Sequence, residues 1–365
     1  MLLKKFSKGL LVAALLVMSA CSSGSNVEEK VDAEKEFGCS VINVFSPGEY
    51  IGENVVGDFE KAYNAKVNYD TFDSNEMMYT KLLGGASYDV LVPSDYMIEQ
   101  LMQEGLLQTL NKDQLTNLPL LSKDVVAMQE VFDETKEYSV PYFWGTVGIV
   151  YNKENVDPAV VEKEGWDIFK NTDYKGRTYF YDSQRDGFMV AFKALGYSMN
   201  TNNPDEIEAA YQWLKEMNDT MDVAYVTDEV IDGMATGSKD IALMYSGDAA
   251  YVLTENEDMG WYEPNQGTNV WIDAMVIPAN ASCTGLANEF INYIISEDVQ
   301  RENSDYVGYT SVDTAIIEEL SSEDGTYYDI SAYLPRVGYD KDEVFHYDPE
   351  LKKKLSELWN KVKIN

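Results

Sequence analysis

Two periods alternate along this chain. Short β-branched runs are followed, after a Gly, Pro or Asn break, by stretches in which apolar residues recur three or four positions apart, the marks of strand and helix. Residues 40–45 (SVINVF) form the first such run and predict a buried strand, which Pro47 and Gly48 end. Ile51, Val55, Phe59 and Ala62 then fall at helical spacing across residues 50–63, and residues 65–72 alternate like a strand again. Residues 75–83 predict a helix closed by Gly84 and Gly85. Residues 88–93 (YDVLVP) predict the next strand, which delivers Ser94, Asp95 and Tyr96 at its carboxyl end ahead of a helix over 97–104. That is where open α/β sheets bind ligands.

The character changes over residues 138–151, YSVPYFWGTVGIVY, aromatic and β-branched, with Pro141 and Gly145 as expected joints of a crossing into a second lobe. Residues 179–182 predict a strand ending in Asp182, Ser183, Arg185 and Asp186, before a helix over 188–195. Asn203-Pro204-Asp205-Glu206 is a helix start, with an N-cap Asn, Pro in the first turn and acids facing the dipole; Ile207, Ala210, Tyr211, Leu214 and Met217 make its apolar face. Residues 241–245 predict a strand leading into Ser246-Gly247-Asp248, residues 287–295 a helix packed on the first lobe, and residues 349–362 an amphipathic C-terminal helix. The expected fold class is α/β with two lobes around a cleft, residues 38–140 and 274–325 in one and residues 141–273 and 326–365 in the other.

Residues 269–281, NVWIDAMVIPANA, place Trp271 and Asp273 two apart. In an extended chain they share a face, so an indole and a carboxylate stand side by side. Such a pair suits an alkylammonium: the ring attracts the cation and covers its methylenes, and the carboxylate takes its hydrogen bonds. A core strand with a buried Trp gives the same spacing, so both readings stand on the spacing alone.

Composition narrows the classes. A length of 365 residues predicts two domains, and 12% aromatic residues, among them 26 Tyr, suffice to furnish a cleft as well as cores. The formal charge of −35 argues against nucleic acid as a partner. Lys4, Lys5 and Lys8, the apolar residues 10–18, and Ser19-Ala20 before Cys21 make a secretory signal. Together with Cys21 they resemble a bacterial lipoprotein signal, which implies residues 1–20 as signal peptide, Cys21 as the lipidated first residue of the mature protein, and an extracytoplasmic location at the membrane. Residues 21–37 are small and charged and predict a flexible tether. Cys39 and Cys283 remain as candidates to pair in an exported protein.

Several blocks, FDSNEMMYTKLL (72–83), YDVLVPSDYM (88–97), YSVPYFWGTVGI (138–149), LGYSMNTNNPDEIEAAY (195–211) and WIDAMVIPANA (271–281), resemble the spermidine/putrescine-binding proteins of bacterial ABC importers. The resemblance implies a periplasmic-binding-protein fold that closes on a polyamine, with a membrane permease as partner and no cofactor. It makes Tyr50, Ser94, Tyr96, Trp271, Asp273 and Tyr309 cleft residues. Asp186 falls where the family has a Glu that holds an amine, and Tyr245 where a Trp is usual. The chain departs from the pattern at Pro47-Gly48, where an aromatic is lost, and at Ser183, where a carboxylate is lost; Phe345 or His346 falls near the family's C-terminal Gln. These departures leave putrescine against spermidine, or another cationic or polar solute, open.

Each candidate also has a plain structural reading. Ser94 and Asp186 are both placed to cap the helices that follow them, Tyr50 and Tyr96 to pack at turns, and His346 to lie exposed. A single histidine leaves no Ser-His-Asp set and no His-rich metal site, and no GxxxxGK[ST] is present, so the expectation is a binding protein and not an enzyme. A carboxylate pair for glycoside hydrolysis stays open as an alternative in so acidic a chain.

Overall fold

The computed structural model describes residues 31–364. Its strands are β1 (Val41–Pro47), β2 (Lys66–Phe72), β3 (Val90–Leu91), β4 (Leu107–Gln108), β5 (Ser139–Asn152), β6 (Thr178–Tyr181), β7 (Ala224–Val226), β8 (Ile241–Tyr245), β9 (Met259–Tyr262), β10 (Val270–Pro278) and β11 (Thr310–Ser311). They lie in the order β2-β1-β3-β10-β5-β8-β6-β7, with β4 on β10 and with β9 and β11 on β5. At each end of this order the pairing is parallel, β1 with β2 and β3, and β6 with β7 and β8. Between them β10 and β5 run antiparallel. The molecule is therefore two α/β lobes stitched by two long strands, and the β-α-β-α rhythm of the sequence belongs to the parallel ends.

Pro141 and Gly145 do not break the crossing, because β5 continues through both. The irregularity lies one step away. Asp273 pairs with Phe143 and Ala274 with Pro141, so Tyr142 is left over as a bulge residue beside Asp273. Bulges bend a strand and re-aim its side chains, and Pro141, with no N–H to give the ladder, suits that position. The expected lobe boundaries at 140/141 and 273/274 both fall inside these two strands.

Several elements differ from expectation at their ends. The helix expected over 50–63 begins at Val55, since the Tyr50 carbonyl accepts from the Tyr142 hydroxyl and the Gly52 N–H is taken by Asn303. The strand expected over 88–93 narrows to β3, while its neighbours Asp89 and Val92 still donate to β1 carbonyls. The helix expected over 188–195 starts at Gln184, four residues early, because Ser183 caps it by accepting from the Asp186 N–H at 3.3 Å. The Asn203 cap is present and accepts from Asp205 N at 3.0 Å.

One apolar cluster, with Phe59, Ile42 and Phe290, lies between the first lobe's sheet and helices Val55–Tyr63 and Thr284–Ile294. A larger one runs without interruption from Phe45 and Met97 to Phe188 and Leu214. Cys39 and Cys283 are disulfide-bonded across 244 positions; a bridge over so long a loop contributes about 2–4 kcal/mol, chiefly by restricting the unfolded chain. The expected signal peptide, the lipidated Cys21 and residues 21–30 of the expected tether lie outside the described residues; the rest of that tether, to residue 37, is not flexible, since Ala33–Phe37 is a short helix with Ala33 fully buried and Val31 N–H donates to the Ala62 carbonyl. Among the described residues no helix is long and apolar enough to cross a membrane.

Candidate ligand-binding cleft

The side chains that meet between the lobes come from strand ends and from the two crossing strands. Trp271, on β10, is 8% exposed and its ring lies on Gly145 of β5, where a methyl group would sit 2.7 Å from the indole. Tyr309, just before β11, lies on Gly247 in the same way, at 2.2 Å. Two glycines thus let two rings settle against backbone, which any larger residue would forbid. The edge of Tyr309 meets Trp271 at 5.2 Å and Tyr50 at 5.6 Å, and Tyr245, at the end of β8, meets Trp271 at 6.1 Å. The result is an aromatic box fed by both lobes.

Three carboxylates enter this box, and tyrosines hold each of them. Tyr50 donates to Asp273 Oδ2 at 2.7 Å. Tyr245 donates to Asp186 Oδ2 at 2.9 Å. Asp248 accepts from Tyr309 at 2.8 Å and from Tyr181 at 3.3 Å. Asp186 and Asp248 stand in the first turns of helices Gln184–Ala194 and Ser246–Glu255, where the helix dipole favours an anion. No Lys, Arg or His forms an ion pair with any of the three among the described residues; Arg185, beside Asp186, pairs with Glu76. Asp273 Oδ1 is buried and has no hydrogen-bond partner among the described residues.

Burial raises the Asp273 carboxyl above its ordinary value, with the Ser94 and Tyr50 hydroxyls pulling the other way. Burial likewise pushes Asp248 up to about 6, against the pull of Tyr309 and Tyr181. The Tyr50, Tyr245 and Tyr309 phenols are held well above their usual range, first by burial and then by the adjacent carboxylates. They therefore stay protonated and act as donors. The arrangement gathers three carboxylates, each accepting from a phenol, inside an aromatic enclosure.

The expected residues Tyr50, Asp186, Tyr245, Trp271, Asp273 and Tyr309 are brought together. Ser94 is placed against Asp273 by an antiparallel bridge, and it makes no side-chain cap; its hydroxyl accepts from Asn75 at 3.0 Å. Asp186 is not a cap either, since Ser183 holds that position and leaves the Asp186 carboxylate to Tyr245. Tyr96 has other partners: its face is covered by the Arg185 guanidinium at 3.2 Å and its hydroxyl reaches Glu76 at 3.4 Å. His346 is about half exposed, with Nδ1 3.5 Å from Glu99. Asp248 and Tyr181 were not among the expected site residues. Asp248 occupies the same place after β8 that Ser94 occupies after β3, so the strand-end rule is the signal that points to it.

A family model for bacterial extracellular solute-binding proteins matches residues 54–326. This chain belongs to that family. Among its relatives, the solute-binding protein described as spermidine/putrescine-binding periplasmic protein of Escherichia coli (strain K12) is 32% identical over 88% of each chain. The putrescine-binding periplasmic protein SpuD of Pseudomonas aeruginosa is 29% identical over 89% of this chain and 91% of its own. Among solved structures, the spermidine/putrescine ABC transporter substrate-binding protein PotD from Streptococcus pneumoniae superposes with a TM-score of 0.74 at 31% identity, over 89% of this solute-binding protein and 98% of that chain.

Proposed function

We propose that this solute-binding protein captures an extracellular polyamine, putrescine or spermidine, between its lobes and delivers it to the permease of an ABC importer, without a catalytic step or cofactor. The observation that carries this reading is the set of three cleft carboxylates, Asp186, Asp248 and Asp273, held by phenols and paired with no cation among the described residues. Enclosing a carboxylate without a counter-ion costs several kcal/mol, so the site is poised for a ligand that brings positive charge. Aromatic faces from Trp271, Tyr50, Tyr245 and Tyr309 suit the methylenes between ammonium groups. The relatives named above supply the same ligand class. Ser94 supports Asp273, and Tyr96 belongs to the rim, through Arg185.

The same proposal assigns residues 38–140 and 274–325 to one lobe and residues 141–273 and 326–365 to the other. It also anchors the protein outside the membrane by lipid on Cys21. A thermal-shift screen tests the ligand class: putrescine and spermidine are expected to raise the melting temperature while sugars and neutral amino acids do not, because only a ligand of the native state stabilises it. No shift with any polyamine would overturn the reading. Intact-mass measurement of membrane-extracted protein tests the anchor, and an unmodified Cys21 would remove it.

A further inference from the structure

Resting on that polyamine reading, we propose that Asp95 and Asp273 are a coupled pair of carboxylates that shares a proton while the cleft is empty, and that capture of an ammonium at Asp273 drives this proton out to solvent. The place of Asp95 is set by the pairing of β3 with β10. Leu91 pairs with Val276, and two residues on the Pro93 carbonyl accepts from Ala274 N at 3.0 Å. The next rung belongs to residue 95, but there the main chain leaves the sheet for helix Asp95–Gln103. The Asp95 side chain supplies the rung instead. Its Oδ2 accepts from Ile272 N at 3.2 Å, while Oδ1 accepts from Tyr96 N at 2.6 Å. Ser94, one residue earlier, bridges Asp273. One turn of chain thus fixes the Asp95 carboxylate to the residue next to the amine anchor, and Asp95 is a positioning residue for it.

Asp95 is 1% exposed, and one oxygen of Asp273 is wholly buried. Neither forms an ion pair with Lys, Arg or His among the described residues. Two such anions side by side in a poor solvent oppose each other's ionisation, so their protons leave as those of a pair. Burial pushes the Asp95 carboxyl up to about 7; the Tyr96 and Ile272 N–H groups pull it down, the Asp273 charge on β10 adds to the rise, and Arg185 on helix Gln184–Ala194 opposes it. Burial raises Asp273 as well, against the Ser94 and Tyr50 hydroxyls. An ammonium seated on Asp273 cancels the charge that retained the proton. The proton then passes from the Asp95 carboxyl to solvent, the ammonium keeps its own hydrogens, and one positive charge replaces another inside the enclosure. The empty cleft in this way avoids holding two adjacent uncompensated anions.

Calorimetric titration with putrescine and with spermidine at pH 7.0, in buffers of unequal ionisation heat, counts the protons released. Wild type is expected to release about 0.3–0.5 proton per amine, since a carboxyl with a value near 7 is about half protonated there. Asp248, at about 6, is mostly ionised at that pH and supplies no more than about 0.1. Asp95→Asn keeps an acceptor for Ile272 N–H and cannot titrate, so it is expected to cut the release below about 0.15. Asp95→Ser serves the same purpose if the amide variant does not fold. In wild type, the infrared difference between loaded and empty protein is expected to show loss of a protonated-carboxyl band at pH 7.0 and none at pH 8.0. No proton release by wild type, or no loss of that band at pH 7.0, would overturn the proposal whether or not a variant folds. Undiminished release by either variant would assign the proton to another group and overturn it too. Binding of neither amine by wild type would instead sink the polyamine reading on which it rests.

Discussion

The Tyr50 hydroxyl donates to Asp273 Oδ2 at 2.7 Å across 223 positions of sequence, and the second oxygen of that carboxylate has no partner among the described residues. Tyr50 thus aims the group, and the other oxygen, on the carboxylate that the Ser94 hydroxyl also influences, is the one proposed to meet a ligand's ammonium. Asp273→Asn keeps the shape and removes the charge. It is expected to weaken polyamine binding by about one to two orders of magnitude, since a charge-assisted hydrogen bond is worth roughly 1.5–3 kcal/mol and each 1.4 kcal/mol is about tenfold. Trp271→Leu is expected to cost less. Calorimetric titration checks both, with circular dichroism to confirm folding, and wild-type affinity in Asp273→Asn would mean the anchor lies elsewhere.

The lobes also meet through an ionic clasp at the rim. Glu76 faces Arg185 at 3.5 Å and Lys352 at 3.1 Å, and Arg185 covers the Tyr96 ring at 3.2 Å. Burial opposes ionisation of Glu76, but these two cations outweigh it and hold the carboxyl below its ordinary value. Half-exposed ion pairs are each worth up to about 1 kcal/mol, so Glu76→Gln should favour the open form and reduce affinity about three- to tenfold without touching the amine site. Small-angle scattering reads the same effect, with incomplete compaction at a ligand concentration that closes wild type. Full affinity and full compaction in Glu76→Gln would assign the clasp no part in closure.

Gly247 tests the packing of Tyr309. It lies in helix Ser246–Glu255, where alanine is favoured over glycine by about 1 kcal/mol. A methyl group there would stand 2.2 Å from the Tyr309 ring, however, and forced overpacking costs about 1–3 kcal/mol. Gly247→Ala is expected to lower the melting temperature and to weaken amine binding as Tyr309 is pushed off Trp271 and Asp248. A melting temperature above wild type would show that helix propensity wins and that the ring yields freely.

Acidity should act in opposite directions on the empty and the loaded protein. Asp248 is raised by burial to about 6, with Tyr309 and Tyr181 facing it and Asp228 adding repulsion. A carboxyl raised above its unfolded value of about 3.9 binds its proton more tightly when folded. Its stabilising contribution is therefore full below that value and lost as pH rises through about 6. An ammonium, by contrast, needs the ionised form. The rise in melting temperature caused by spermidine is expected to grow from pH 5 to 7 and then level off, and an increment independent of pH would contradict the burial of these groups.

The sequence by itself determined what depends on neighbours a few positions apart. The periods of apolar residues placed β1, β2, β3, β5, β6, β8 and β10 and the helices that follow most of them, but not the short strands β4, β7, β9 and β11 or helices such as Glu297–Val307; the Asn203 cap stood where its Asn-Pro-Asp-Glu run put it, and the Trp271 and Asp273 spacing fell on the long strand β10. Only tertiary structure decided which distant residues meet. Asp186 looks like a helix cap from its own neighbours, and it becomes a cleft anion only because Ser183 takes the cap and Tyr245, from another strand, arrives over it. Gly145 reads as a joint and Gly247 only as part of the run that follows a strand, and their use appears only when Trp271 and Tyr309 are laid on them. Periodicity tells which face a side chain occupies, whereas the partner across that face is set by chain closure over hundreds of residues, and so the place of Asp248 among the cleft carboxylates was not legible before the lobes were brought together.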